Sequence, residues 1–304
     1  MIDFREITLE DQNCFTQIFS SNHSVSSEYT FPYLFMWRRD YNLRYSIVGN
    51  YLCLISNSRV AISFAFCPVP ISGVHEKDGF EKALEAIASQ FREKGHDLAF
   101  GRVEEDKIPL FKDYYQGRAQ FEYLPDASDY VYESADLIQL TGKKFSGKRN
   151  HISQFKRYYS DYEYISLSAE NLNECKQIFE DWCQKNETEC LHPDNCERLA
   201  CFELLDNWEI LNLKGALVKV NGRSEAFTIG ELLNKDMAVI RVEKGNSDIH
   251  GIYTFINREF CEKEWSGQRL INREEDMGKE GLKKAKLSYY PTQLINKYMV
   301  RVST

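Results

Sequence analysis

Between Asn272 and Pro291 the chain reads Asn-Arg-Glu-Glu-Asp-Met-Gly-Lys-Glu-Gly-Leu-Lys-Lys-Ala-Lys-Leu-Ser-Tyr-Tyr-Pro, a short stretch dense in carboxylates, cations and phenols. Glu275 and Asp276 are candidate proton acceptors, and Tyr289 is a candidate proton donor. Asn272, Arg273, Lys283 and Lys286 can hold an anion. A second cationic group follows Gly142, formed by Lys143, Lys144, Lys148 and Arg149 with Asn150 beside them. Glu231 and Glu243, at the ends of neighbouring strand-like runs, can act as bases or seat a substrate ammonium. Together these types and spacings allow proton transfer beside a bound phosphate. Each acid can equally be half of a surface ion pair, and each cationic run a solvated helix face.

The run Gly142-Lys143-Lys144-Phe145-Ser146-Gly147-Lys148-Arg149 comes close to a P-loop, and Asp136 to Leu140 ahead of it reads as a strand. A nucleotide-hydrolysing P-loop needs Ser or Thr after the lysine to hold magnesium, and Arg149 stands there instead. What remains is a glycine-flanked helix start that can bind phosphate without a metal.

The elements that must position these residues follow one order twice. In the second copy, Tyr162 to Ser166 is a strand and Ala169 to Lys185 a helix with Leu172, Cys175, Ile178, Phe179 and Trp182 on one face. A helix over 195–207 precedes three strands, Leu213 to Val220, Arg223 to Leu232 and Met237 to Glu243, with Asn221-Gly222 as a hairpin turn. A helix from Gly251 to Glu264, a strand at Arg269 to Asn272, a short helix near Gly278 to Ala285 and a closing strand at Lys297 to Val302 complete it. In the first copy, Ile2 to Ile7 is strand-like and Thr8 to Asp11 offers a capping box. Glu28 to Trp37 reads as a helix, and Tyr45 to Val48, Tyr51 to Ile55 and a run from Val60 as strands. A long helix over Gly79 to Lys94 ends at Gly95, and Asp97 to Gly101 returns as a strand. This order predicts two domains, 1–134 and 135–304, the second carrying the site.

Nine cysteines without paired spacing fit reduced thiols. The group Cys183, Cys190, His192, Cys196 and Cys201 lacks the usual zinc-ligand spacing, so no metal is expected. A formal charge of −8 argues against general DNA binding. Nothing near the N-terminus looks like an export signal, and no stretch approaches a membrane span, so the expected location is the cytoplasm.

The fold class expected is α/β (α+β): two tandem domains, each a mixed, mainly antiparallel sheet flanked by helices, similar to the GNAT acetyltransferase architecture. In that family a loop after the fourth strand holds the pyrophosphate of coenzyme A. Here the corresponding loop runs from Lys244 to Gly251 and includes Gly245 and Asn246, without the usual family motif. The Asn272–Pro291 string together with Gly142–His151 resembles the DUF2156 family, related to the phosphatidylglycerol lysyltransferase C-terminal domain and to Fem aminoacyltransferases. The resemblance implies transfer of an acyl or aminoacyl group to an amine or hydroxyl. The donor would be acyl-CoA or aminoacyl-tRNA, and no tightly bound cofactor is implied. The alternative is a noncatalytic module of the same fold that binds a nucleotide, a tRNA end or a protein.

Overall fold

The computed structural model describes residues 2–57, 62–186 and 197–303. The chain divides into two compact units. The first comprises Met1–Asp129, Glu275–Lys279 and Ile295–Thr304, and the second Tyr130–Glu274 and Glu280–Leu294.

The first unit contains β1 (Arg5–Glu6), α1 (Gln12–Asn22), α2 (Phe31–Trp37), β2 (Leu43–Val48), β3 (Tyr51–Ser56), β4 (Phe64–Ala65), β5 (Val69–Pro70), α3 (Lys77–Glu93), β6 (Ala99–Glu104), α4 (Ile108–Tyr115) and β7 (Ala119–Tyr123). The predicted capping box forms, with the Thr8 N–H donating to Asp11 Oδ2 at 2.8 Å. Helix α3 buries Phe80, Leu84, Ile87 and Phe91, and Gly95 closes it at φ +68°. These side chains share one core with Tyr51, Phe100 and Phe111. Strand β4 meets β6 in parallel through Ala65 and Phe100, within a sheet that is otherwise antiparallel.

The second unit contains β8 (Asp129–Glu133), α5 (Ser134–Gln139), α6 (Ser146–Tyr158), β9 (Tyr162–Ser166), α7 (Leu172–Lys185), α8 (Glu197–Asp206), α9 (Trp208–Leu211), β10 (Lys214–Val220), β11 (Arg223–Asn234), β12 (Met237–Gly245), α10 (Ile252–Trp265), β13 (Leu270–Asn272), α11 (Glu280–Leu287) and β14 (Gln293–Ile295). Strands β9 to β12 form an antiparallel meander, and β13 joins β12 in parallel. The hairpin between β10 and β11 turns at Asn221 (φ +50°) and Gly222 (φ +74°), the left-handed pair that a two-residue turn requires.

The structure departs from the sequence-based expectations in four places. Asp136 to Leu140 is the helical end of α5, with Leu140 left-handed at φ +51°, so no strand leads into the glycine-flanked loop and the P-loop context is lost. The strand there is β8, a few residues earlier. The closing strand, β15 (Lys297–Val302), has its predicted limits but pairs β6 and β7 in the first sheet. Alternation identifies a strand without naming its neighbour; the buried Val300 places it in the first core. The units therefore divide at Asp129–Tyr130 and exchange two later segments, rather than dividing once at 134–135. Cys183 is disulfide-bonded, against the expectation of reduced thiols throughout, whereas Cys175 and Cys201 are free and buried. Cys190, His192 and Cys196 of the weighed zinc group, and Val60 of a predicted strand, lie outside the described residues.

Candidate functional site

Within the second unit, β12 pairs with β11 along its length but with β13 only through Met237–Val239 and Leu270–Asn272. Past that point the chain turns on itself: the buried Asn272 accepts the Glu274 N–H at 2.7 Å. Lys286, also buried, donates to the carbonyls of Arg273 and Glu274. This backbone clamp fixes Arg273 where the parallel pairing ends.

Arg273 Nη2 donates to Glu243 Oε1 at 3.3 Å, and Asn257 of α10 donates to Glu243 Oε2 at 3.1 Å. The Arg273 guanidinium lies 4.9 Å from the centre of the Tyr289 ring, and Lys148 Nζ lies 3.8 Å from the same centre. Thr254 is hydrogen-bonded to the Tyr289 hydroxyl. Thr228 stands directly across from Glu243 in the β11–β12 ladder. These groups form a polar layer in the core. The apolar residues of this unit fall into separate clusters, one with Ile240, Phe260 and Ile271 and another with Ala226, Phe255 and Ile256.

Three buried atoms of this layer have no hydrogen-bond partner among the described residues: Arg273 Nη1, Asn257 Oδ1 and Thr228 Oγ1. Buried polar atoms left unpaired cost on the order of 1–3 kcal/mol each, so a donor and an acceptor without partners make this layer the candidate site. Burial, and then the positive charge of Arg273, bring Lys148 down to about 8. Burial raises Tyr289, and raises it against the pull of Arg273.

Of the residues expected from sequence, the structure brings together Glu243, Arg273, Tyr289 and Lys148, with Asn272 and Lys286 supporting them. It places others elsewhere. Glu231 accepts from Arg241 Nε at 2.7 Å, and the fully buried Arg241 also pairs with Glu274, so Glu231 is held in an internal ion network and is unsuited to act as a base. Glu275 and Asp276 belong to the first unit: Glu275 accepts from both terminal nitrogens of Arg102 at 3.1 Å, and the buried Asp276 accepts the Gly278 N–H at 2.9 Å. Lys144 pairs with Asp136 at 3.1 Å, and Arg149 is spent on the carbonyls of Leu140 and Gly142. Lys143, Asn150 and Lys283 are exposed.

The loop expected to cradle a pyrophosphate uses its own donors. Gly245 N–H donates to the Tyr253 hydroxyl, Asn246 N–H to the Glu225 carbonyl, Asp248 N–H to Asn246 Oδ1, Ile249 N–H to the Asn246 carbonyl and His250 N–H to the Tyr159 hydroxyl. Gly251, at φ +83°, is there for packing, since an added Cβ would lie 2.5 Å from the His151 carbonyl oxygen. Sequence reasoning missed Thr228, Thr254 and Asn257. The signal available was polarity at inward positions: Thr228 between Ala226 and Gly230 on β11, and Asn257 among Ile256, Phe260 and Cys261 on α10.

The first unit holds a second buried charge cluster. Lys297 Nζ donates to Glu28 at 2.6 Å and Asp129 at 2.7 Å, and Arg102 Nη1 donates to Glu28 at 2.6 Å. Burial works against the Glu28 carboxylate, yet Lys297 and Arg102 hold it down to about 2. Glu104, which accepts the Ser26 N–H at 3.0 Å, is pushed up by burial to about 7.

Residues 20–301 match the family described as phosphatidylglycerol lysyltransferase, C-terminal. A conserved protein of unknown function from Bacteroides thetaiotaomicron is 31% identical, with 100% of each chain covered and a TM-score of 0.92. L-PGS from Bacillus licheniformis is 16% identical, covering 98% of this chain and 93% of its own, with a TM-score of 0.68. A tandem GNAT protein from the clavulanic acid biosynthesis pathway is 8% identical over 99% and 98% of the two chains, with a TM-score of 0.55. The fold is thus that of tandem GNAT proteins. Among the described residues no helix is long and apolar enough to cross a membrane.

Proposed function

The chain belongs to the phosphatidylglycerol lysyltransferase C-terminal family, and from that premise we propose that its second unit transfers an aminoacyl or acyl group from a phosphate-bearing donor to an amine or hydroxyl. The observation that carries this reading is the polar layer at the end of the β12–β13 pairing, with its unpaired donor and acceptors. Arg273 Nη1 is the donor for the oxygen that gains charge when the acyl carbon is attacked. Asn257 Oδ1 accepts a hydrogen from the attacking group, and Glu243 holds Arg273 in place. Tyr289, kept protonated by burial, can offer a hydrogen bond without giving up its proton. Exposed Lys143 and Lys283 suit donor phosphates.

Between the two donors, the occupied amides of the Lys244–Gly251 loop favour aminoacyl-tRNA over a coenzyme A thioester, because a pyrophosphate would find few free N–H groups there. Such a reaction belongs in the cytoplasm, where charged tRNA is found.

Thermal stability against charged tRNA, uncharged tRNA, coenzyme A and acetyl coenzyme A tests the donor, since a ligand selective for the folded state raises the melting temperature. Charged tRNA is expected to give the largest shift. A shift confined to the coenzyme A species moves the donor to a thioester, and no shift with any of them leaves a noncatalytic binding module. With turnover in hand, Arg273→Gln is expected to lower kcat roughly 10²–10³-fold, as loss of an oxyanion donor does.

A further inference from the structure

Four titratable groups meet in the polar layer, and three of them are engaged by hydrogen-bond partners. Glu243 accepts a hydrogen bond on each oxygen, from Arg273 and from Asn257, so both oxygens are already engaged. Arg273 keeps its proton throughout. Tyr289 is buried beneath both cations, with its hydroxyl tied to Thr254. Lys148 differs. It stands in the first turn of α6, half-buried against the Tyr289 ring face, and has no hydrogen bond or ion pair among the described residues. The charged or titratable groups facing it are Arg273, Glu243, Tyr289 and, on its own helix, His151. The largest influence after burial is the positive Arg273, which disfavours a second positive charge.

We propose that Lys148 is the proton carrier of the transfer, its neutral amine taking the proton of the attacking nitrogen or oxygen and its ammonium returning that proton to the leaving oxygen or sulfur. This rests on the transferase reading above. The bond from nucleophile to acyl carbon forms, the bond from acyl carbon to leaving group breaks, and one proton passes through Nζ, so the lysine is regenerated. The Tyr289 ring face supports the ammonium during its lifetime. The fall of Lys148 to about 8 agrees with an amine that is partly neutral under working conditions. This role differs from that of a phosphate clamp, which needs a permanent charge.

Two measurements on the full chain decide it. Trace labelling of amines with acetic anhydride across pH, read peptide by peptide, is expected to show Lys148 titrating near 8, with Arg273→Gln moving it upward. Titration of Lys148 together with the surface lysines overturns the proposal. With an active donor, Lys148→Met is expected to lose ~10²-fold or more in kcat without lowering the melting temperature, and Lys148→Arg is expected to fail to restore it, because a guanidinium cannot give up its proton. Full rescue by Lys148→Arg, or a change in KM alone, makes Lys148 a clamp and overturns the proposal. A wild type that turns over no aminoacyl-tRNA or acyl-CoA removes the transferase reading, and the role with it, even where labelling still finds an amine titrating near 8.

Discussion

Arg102 and Arg273 occupy the same place in the repeated order. Each lies two residues beyond a residue of the parallel pairing, Phe100 in the first unit and Ile271 in the second, and each binds a glutamate. Their surroundings differ. In the first unit a fully buried lysine, Lys297, sits between Glu28 and Asp129, and Ser26 and Ser27 add backbone donors to the acids around it. One atom, Glu275 Oε2, is left unpaired there. In the second unit the lysine, Lys148, has no carboxylate in hydrogen-bond contact among the described residues, and among them three atoms of the layer are unpaired. A cluster that neutralises itself holds a fold together, whereas one with unsatisfied donors and acceptors has bonds to offer a ligand. On the proposed function, the two copies of the fold divide these tasks.

The largest effect that would break this comparison is at Lys297. Lys297→Met takes the cation from between Glu28 and Asp129, leaving Arg102 alone to balance Glu28, and removing one partner from such a buried group typically costs ~3–5 kcal/mol. The expected result is a large fall in the urea midpoint, or failure to fold. A midpoint close to wild type would mean that the first cluster is no more structural than the second.

How much of this was legible depends on whether a feature is local. The Asn221-Gly222 hairpin, the Thr8 capping box and the limits of β9 and β15 are set by neighbouring residues, and the sequence shows them. The partner of β15 is a long-range choice, so Lys297 read as an ordinary strand-end lysine and its burial between two acids could not be seen. The same limit put Glu275 and Asp276 into a single site with Tyr289, because closeness in sequence was taken as closeness in space. Arg273, Glu243 and Tyr289, chosen for their chemistry, do lie together. Thr228 and Asn257 were not chosen, since one polar residue in an apolar face carries no sign of what lies opposite it.

A smaller effect, in pH, sets two acids of the first cluster against each other. The Glu104 carboxyl is raised from 4.5 to about 7 by burial, with Asp106 adding to it. A folded-state value above the unfolded one means that the stability it contributes is fully present below about 4.5 and is lost as pH rises through about 7. Glu28 runs the other way: its contribution is present above about 4.5 and lost as pH falls toward about 2. The melting temperature is therefore expected to decline across the Glu104 window, from about pH 4.5 to about pH 7, and Glu104→Gln is expected to flatten that decline. An unchanged slope in the variant would remove Glu104 from the account.

The smallest effect sharpens the second cluster. Gly251→Ala puts a Cβ at φ +83°, where an L-residue costs roughly 1–2 kcal/mol, and drives it to 2.5 Å from the His151 carbonyl oxygen on α6. Gly222→Ala is the matched control: its φ is +74°, but nothing lies within 4 Å of the added Cβ. Both should lose the backbone term, so any further loss in Gly251→Ala measures how firmly the loop holds α6. Because α6 also carries Lys148, that variant should shift the pH at which Lys148 labels, while Gly222→Ala leaves it in place. Equal losses and unmoved labelling in both would show that α6, and the lysine on it, are positioned by something other than this contact.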